Sequence, residues 1–119
     1  MFFISLAFLF WYQCELPPKL YDKKWIYSYE ENIKDCEVYR TADYNFPISR
    51  GRNAFLLSAD GTFFYFDSGM TDKGRKSVGT WELVERDCSI RATIENSNTI
   101  FHFAVVGINN SKLVVKRQR

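Results

Sequence analysis

From residue 24 onward, apolar and polar residues alternate with a period of two, and short polar turns interrupt the alternation. This period is typical of half-buried β-strands, whereas an amphipathic helix repeats about every 3.6 residues. The alternation predicts eight strands, at residues 25–29, 37–40, 52–58, 62–67, 78–84, 89–95, 99–107 and 112–117.

The connections between these strands restrict how they can pair. Most of them are short polar turns, such as residues 59–61, 85–87 and 96–98. Parallel neighbours need a crossover of about a dozen residues or more, so the strands must run antiparallel. An open sheet of this size would expose an edge and an apolar face, which closure into a barrel or folding into a sandwich avoids. The sequence therefore predicts an all-β fold, an eight-stranded antiparallel up-and-down barrel.

The same alternation predicts which side chains fill the barrel. On the sixth and eighth strands, Ile90, Ala92, Ile94, Leu113 and Val115 should point inward. The other predicted interior residues are Trp25, Tyr27, Phe55, Leu57, Phe64, Phe66, Trp81, Leu83, Phe101, Phe103 and Val105. Phe63 and Tyr65 are then expected on the outer wall. A small barrel with this many rings is either filled by them or holds one small ligand.

Composition excludes several classes of function. The 16 Lys and Arg residues against 14 Asp and Glu leave a net charge of +2, too little for the basic field of a nucleic-acid-binding protein. One His and three widely spaced Cys are too few for a Cys/His zinc cage, so no metal is expected. No catalytic or phosphate-binding motif occurs. We therefore expect a protein that is not an enzyme and has no cofactor.

The first residues form a separate segment. Residues 2–12 are a mostly apolar, uncharged run, about half of the ~20 residues that a membrane-spanning helix needs. The run resembles a bacterial lipoprotein signal, with Cys14 as the candidate lipidation site. We thus expect a signal-like segment at 1–14, a linker at 15–23 and a barrel domain at 24–119, in a secreted, periplasmic or membrane-anchored protein. The alternative is an ordered N-terminal strand in a cytoplasmic protein.

The other two cysteines, Cys36 and Cys88, would form an even pair if Cys14 is lipidated or removed. The predicted meander places them half a barrel apart, beyond the ~7 Å that a disulfide spans between Cα atoms. Two buried thiols are the alternative.

Several stretches resemble small bacterial lipocalin-like domains. They are Trp25 on the first strand, FPISRGR at 46–52, FLLSADGTFFYF at 55–66 and GTWEL at 79–83. The resemblance covers residues 24–117 and implies a calycin-type eight-stranded barrel. The chain departs from full-length lipocalins in having Lys23-Lys24-Trp25 where they have Gly-x-Trp, and in having no long helix after the last strand.

Two connections, residues 41–51 and 68–77, are longer than a hairpin needs, and long loops on a rigid scaffold often carry function. Strict alternation of strand direction places both at one end of the barrel. Arg50 and Arg52 there could clamp an anionic group, or could pair with aspartates to fix the loops. The candidate ligand-binding residues are Arg40, Tyr44, Arg50, Arg52 and Arg75 at this end and Trp25, Tyr27, Trp81 and Phe103 inside.

The expected function is the binding of a small apolar or amphipathic ligand at the end with the long loops, with membrane association through the N-terminus. The alternative is a structural or interaction protein with a filled barrel. An enzyme with a site that no motif reveals is the third hypothesis.

Overall fold

A computed structural model of the protein describes residues 14–49, 51–67, 75–95 and 100–118, and for Arg75 it describes the backbone alone. The strands are β1 (Trp25–Tyr27), β2 (Cys36–Arg40), β3 (Ala54–Leu57), β4 (Thr62–Asp67), β5 (Arg75–Val84), β6 (Ser89–Ile94), β7 (Ile100–Ile108) and β8 (Lys112–Arg117). Two short 3₁₀ helices, Pro18–Leu20 and Tyr29–Glu31, precede β1 and β2. The predicted signal-like segment lies outside the described residues, except for Cys14.

The eight strands close into one antiparallel barrel, which confirms the predicted fold class. Hydrogen-bonded neighbours follow the order β1–β2–β8–β7–β6–β5–β4–β3, and β3 pairs with β1. From β3 to β8 each strand pairs with the next, as predicted. β1 lies between β2 and β3 and runs antiparallel to both, so β2 and β3 point in the same direction.

This placement of β1 corrects the predicted position of the long loops. Because β2 and β3 are not hairpin partners, the chain crosses β1 between them, over residues 41–53. The direction of every strand after β2 is therefore opposite to the one expected. The last residue of β2, Arg40, pairs with Lys112 at the start of β8, whereas Asp67 ends β4 at the other end of the barrel. The 41–53 connection therefore begins at the opposite end of the barrel from Asp67 and reaches the end of β4 only at its last residues, before Ala54.

The core confirms most of the predicted inward residues. Phe55, Leu57, Ile90, Ala92 and Phe103 are all buried. Ile94, Leu113 and Val115 are also buried.

On β4 the predicted faces are wrong. Phe63 is only 1% exposed, and Tyr65 packs against the core, whereas Phe64 and Phe66 lie on the outer wall. The hairpin register explains the exchange: Leu57 pairs with Phe63, and directly paired residues share a face of the sheet.

The segment expected to be a linker packs against one end of the barrel. The Leu20 side chain is fully buried, and its carbonyl accepts a hydrogen bond of 3.0 Å from the Trp25 indole. The Tyr21 ring stacks on Trp81 at a centroid distance of 5.4 Å. Lys23 donates to the backbone of the β7–β8 turn. We call residues 14–23 the N-terminal cap, and the end it covers the capped end.

A disulfide joins the first residue of the cap, Cys14, to Cys88 in the β5–β6 turn, with the Cα atoms 5.4 Å apart. This pairing differs from both expectations for Cys88, which were a bond to Cys36 or a buried free thiol. A disulfide sulfur cannot also carry a thioether lipid, so the bond and lipidation of Cys14 are mutually exclusive. Cys36 is a half-buried free thiol, and Cys88 is exposed in its turn, so the two do not form a pair of buried thiols.

Candidate binding site

Two of the predicted site arginines are bound to glutamates of the Tyr29–Glu31 3₁₀ helix. Arg40 donates to both carboxylate oxygens of Glu31, at 2.9 and 2.7 Å. Arg52 donates to both oxygens of Glu30, at 2.7 and 2.5 Å, and its side chain is only 8% exposed. It also donates to the carbonyls of Tyr27 and Pro47. These arginines therefore fix the start and the end of the 41–53 connection, with glutamate partners in place of the expected aspartates.

The electrostatics of these pairs favour their charged forms. The hydrogen bonds from Arg40, with a further one from Ser28, lower the pKa of Glu31 to about 2. The hydrogen bonds from Arg52 likewise lower the pKa of Glu30. Two bidentate pairs of this kind hold the guanidinium planes in fixed orientations.

Two further predicted residues contact these arginines. Tyr44 lies under the Arg40 guanidinium at 4.4 Å, and the Tyr27 carbonyl accepts the hydrogen bond from Arg52 while the Tyr27 ring contacts Tyr39. Trp81 lies at the capped end and donates a 2.8 Å hydrogen bond to the Ser58 carbonyl.

Of the other four, Trp25 is fully buried beside the cap, and Phe103 is buried in the core. Arg50 lies outside the described residues, and Arg75 begins β5 at the end opposite the cap. The structure therefore brings Arg40, Arg52, Tyr44 and Tyr27 together around the Tyr29–Glu31 helix, whereas Trp25, Trp81 and Phe103 lie elsewhere in the barrel.

The barrel interior is packed with rings. Phe55 contacts Phe63 and Phe103 at centroid distances of 6.3 and 5.5 Å, and Tyr39 meets Phe55 edge-on at 4.9 Å. The cavity among these side chains has a volume of about 10 Å³, about the space of a single water molecule. Small-molecule pockets usually hold about 300 Å³ or more.

A polar cluster closes this cavity on the side away from the cap. Arg117 donates to Glu37 at 3.0 Å, and the Tyr39 hydroxyl donates to the same carboxylate oxygen at 3.0 Å. Burial, together with the charge of Glu37, raises the pKa of Tyr39. The cluster holds Arg117 over the Phe101 ring.

On the other side of Arg117, the outer wall carries an open groove of about 600 Å³. Its lining comprises Val84, Arg86, Asp87, Arg91, Ile100, His102, Arg117 and Gln118. We call it the outer groove. The convergence of the three arginines was not predicted from the sequence, because Arg86 lies in a turn and the other two lie on separate strands.

A hydrogen-bonded chain fixes the imidazole in this groove. The Ser89 hydroxyl donates to Asp87 at 2.6 Å, so its oxygen accepts the 2.5 Å hydrogen bond from Nε2 of His102. In a catalytic triad the serine donates to the histidine, which is the reverse of this arrangement. Ser89 is also fully buried. These hydrogen bonds therefore have a structural role, which is to hold the imidazole in place in the groove.

Comparison of the chain with protein-family models, curated proteins and solved structures finds no match. Within residues 14–49, 51–67, 75–95 and 100–118, no helix is long and apolar enough to cross a membrane. The same residues contain no group of three or more His, Cys, Asp or Glu side chains that could hold a metal ion. The eight-stranded antiparallel barrel is consistent with a lipocalin-like fold.

Proposed function

We propose that this protein is an exported, lipocalin-like, non-enzymatic binding module whose barrel is filled and whose recognition surface lies on the outside. One observation carries the proposal: the aromatic interior leaves only about 10 Å³ among the described core residues. That volume disfavours an apolar ligand inside the barrel, the function expected first, and favours the alternative of a filled barrel that acts through its surface.

The Cys14–Cys88 disulfide supports export, because disulfides persist in oxidising compartments. The apolar run before Cys14 supports it as well. The mass of the chain isolated from its native host tests this part of the proposal. A non-reduced mass without acyl groups, increasing by two hydrogens per disulfide on reduction, is expected. A reduced, intact Met1 form in the cytoplasm would contradict export.

Titration of the full chain with a fluorescent fatty acid tests the filled barrel. The wild type should show no saturable one-to-one binding. Phe63→Ala should open an apolar cavity that binds a small probe such as benzene, since engineered apolar cavities stay dry and take up such molecules. Phe64→Ala is the matched control, because it removes the neighbouring ring from the outer wall. The proposal would be overturned if the wild type bound the fatty acid saturably and a larger side chain introduced into the interior weakened that binding.

A further inference from the structure

The outer groove gathers positive charge from three separate elements. Arg86 comes from the β5–β6 turn, Arg91 from β6, and Arg117 from the last residue of β8. Arg91 pairs across the sheet with His102, and the backbone N–H of Gln118 donates to the His102 carbonyl at 2.8 Å. The backbone hydrogen bonds of the barrel therefore fix the spacing of these side chains.

The nearby carboxylates are mostly engaged elsewhere. Asp87 accepts the hydrogen bond from Ser89. Glu37 accepts hydrogen bonds from Tyr39 and from Arg117 itself, so the charge of Arg117 is balanced by an ion pair. Glu82 approaches Arg91 no closer than 3.9 Å, with both side chains largely exposed.

Arg86 has no hydrogen-bond or ion-pair partner within the described part of the chain. A guanidinium carries five N–H donors in a planar fork that matches the oxygens of a carboxylate or phosphate. Because Arg117 is paired with Glu37, Arg86 and Arg91 carry the charge available to a ligand, and Asp87 is the one carboxylate among the described lining residues. The groove therefore has unused donors and an excess of positive charge.

The groove also has an apolar part. Ile100 is 60% exposed and lies on the same face of β7 as His102, which pairs with Arg91. A ligand that fits both features carries an oxyanion next to an apolar group. Resting on the proposed function, in which the outer surface does the binding, we propose that the outer groove binds a carboxylate or phosphate group attached to a small apolar moiety.

Calorimetric titrations of the disulfide-bonded full chain with phenyl phosphate, benzoate and inorganic phosphate test this site. Phenyl phosphate and benzoate differ in the anion, whereas inorganic phosphate lacks the apolar part. Binding of at least one aromatic anion is expected, and the dissociation constant should be at least tenfold larger for inorganic phosphate. Comparing the two aromatic anions identifies which oxyanion the groove prefers.

Arg86→Gln and Arg91→Gln should each weaken binding of the aromatic anion about tenfold or more, because each removes a charge-assisted hydrogen bond. Arg86 lies in an exposed turn, so its replacement leaves the barrel intact. Lys19→Gln, an exposed cation on the cap, is the matched control and should bind like the wild type.

Absence of binding by every anion, or equal weakening by Lys19→Gln, would overturn the site. That outcome would not contradict the proposal of a filled barrel, which is contradicted only if the wild type binds the fatty acid inside.

Discussion

The Arg52 guanidinium donates to the Glu30 carboxylate and to the carbonyls of Tyr27 and Pro47, and its side chain is almost fully buried. Lysine keeps the charge but cannot reproduce this fork of donors. We expect Arg52→Lys to lower the free energy of unfolding by about 1–2 kcal/mol, because acceptors are left unpaired. Urea denaturation measures the change.

The matched control for Arg52→Lys is Arg86→Lys, in a position that has no partner among the described residues. It should leave the free energy of unfolding unchanged. If the Arg52→Lys protein were as stable as the wild type but bound anions more weakly, the structural role would be contradicted and the anion-binding role of Arg52 would be supported.

Glu31 gives the protein an acid-sensitive contact. Its pKa is lowered from an ordinary 4.5 to about 2, chiefly by the hydrogen bonds from Arg40. A carboxylate with a lower pKa in the folded state stabilises the fold above its ordinary pKa, and this stability is lost as the pH falls. Between about pH 4.5 and pH 2 the free energy of unfolding should therefore decrease.

Thermal denaturation at several pH values measures this effect. Glu31→Gln should be less stable than the wild type at neutral pH. Its stability should also decrease less than that of the wild type on acidification. Glu85→Gln, in the exposed β5–β6 turn, should follow the wild-type pH profile. Identical profiles for Glu31→Gln and the wild type would contradict the contribution of the pair.

Sequence analysis predicted that Arg40 and Arg52 either bind an anion or fix loops, but it did not predict their partners. The sequence predicts one strand over residues 25–29, whereas β1 ends at Tyr27 in the structure. The Tyr29–Glu31 3₁₀ helix then turns both glutamates toward the arginines. Alternation alone contains no signal for such a short turn.

Among the larger elements, the N-terminal cap departs most from the expected linker. Its sequence has two prolines and no periodicity, which is why it looked like a connector. Its buried Leu20 and the stacking of Tyr21 on Trp81 depend on contacts with residues far along the chain. A tertiary arrangement of this kind has no local sequence signature.

The disulfide should determine how firmly the cap is held. It links residues 74 positions apart, so reduction should lower the free energy of unfolding by about 2–4 kcal/mol, as expected for a long closed loop. Denaturation with and without reductant measures the difference. Cys14→Ser should have the same free energy of unfolding as the reduced wild type, and reductant should not change it.

Cys36→Ser is the matched control for the disulfide, because Cys36 is a free thiol. This variant should respond to reductant as the wild type does. A wild type with the same stability in oxidising and reducing conditions would show that the bond does not hold the cap.

At the scale of the whole molecule, the fold class and the strand positions were predicted well. β4 and β8 begin and end at the predicted residues, since both alternate regularly between polar turns. The position of β1 between β2 and β3 was not predicted. Alternation indicates which face a residue occupies but not which strand lies beside it, and a three-residue strand such as β1 is easily crossed by the following loop.

The placement of β1 also determined what could be predicted of a site. The expected mouth depended on strict alternation of strand direction, and reversing the direction after β2 places Arg40 and Asp67 at opposite ends of the barrel. The outer groove depends instead on pairing between β5, β6, β7 and the end of β8. Its residues could have been grouped from the hairpin registers of the second half of the chain.

The central claim is that the barrel is filled and that recognition takes place outside it. Backbone amide NMR of the ¹⁵N-labelled full chain, titrated with phenyl phosphate, tests this claim most directly. Shift changes should concentrate at Arg86, Arg91, His102 and Gln118 and saturate with ligand, while Phe55, Leu57 and Phe63 remain unchanged. Saturable changes centred on those three core residues would instead place the ligand inside the barrel and contradict the account.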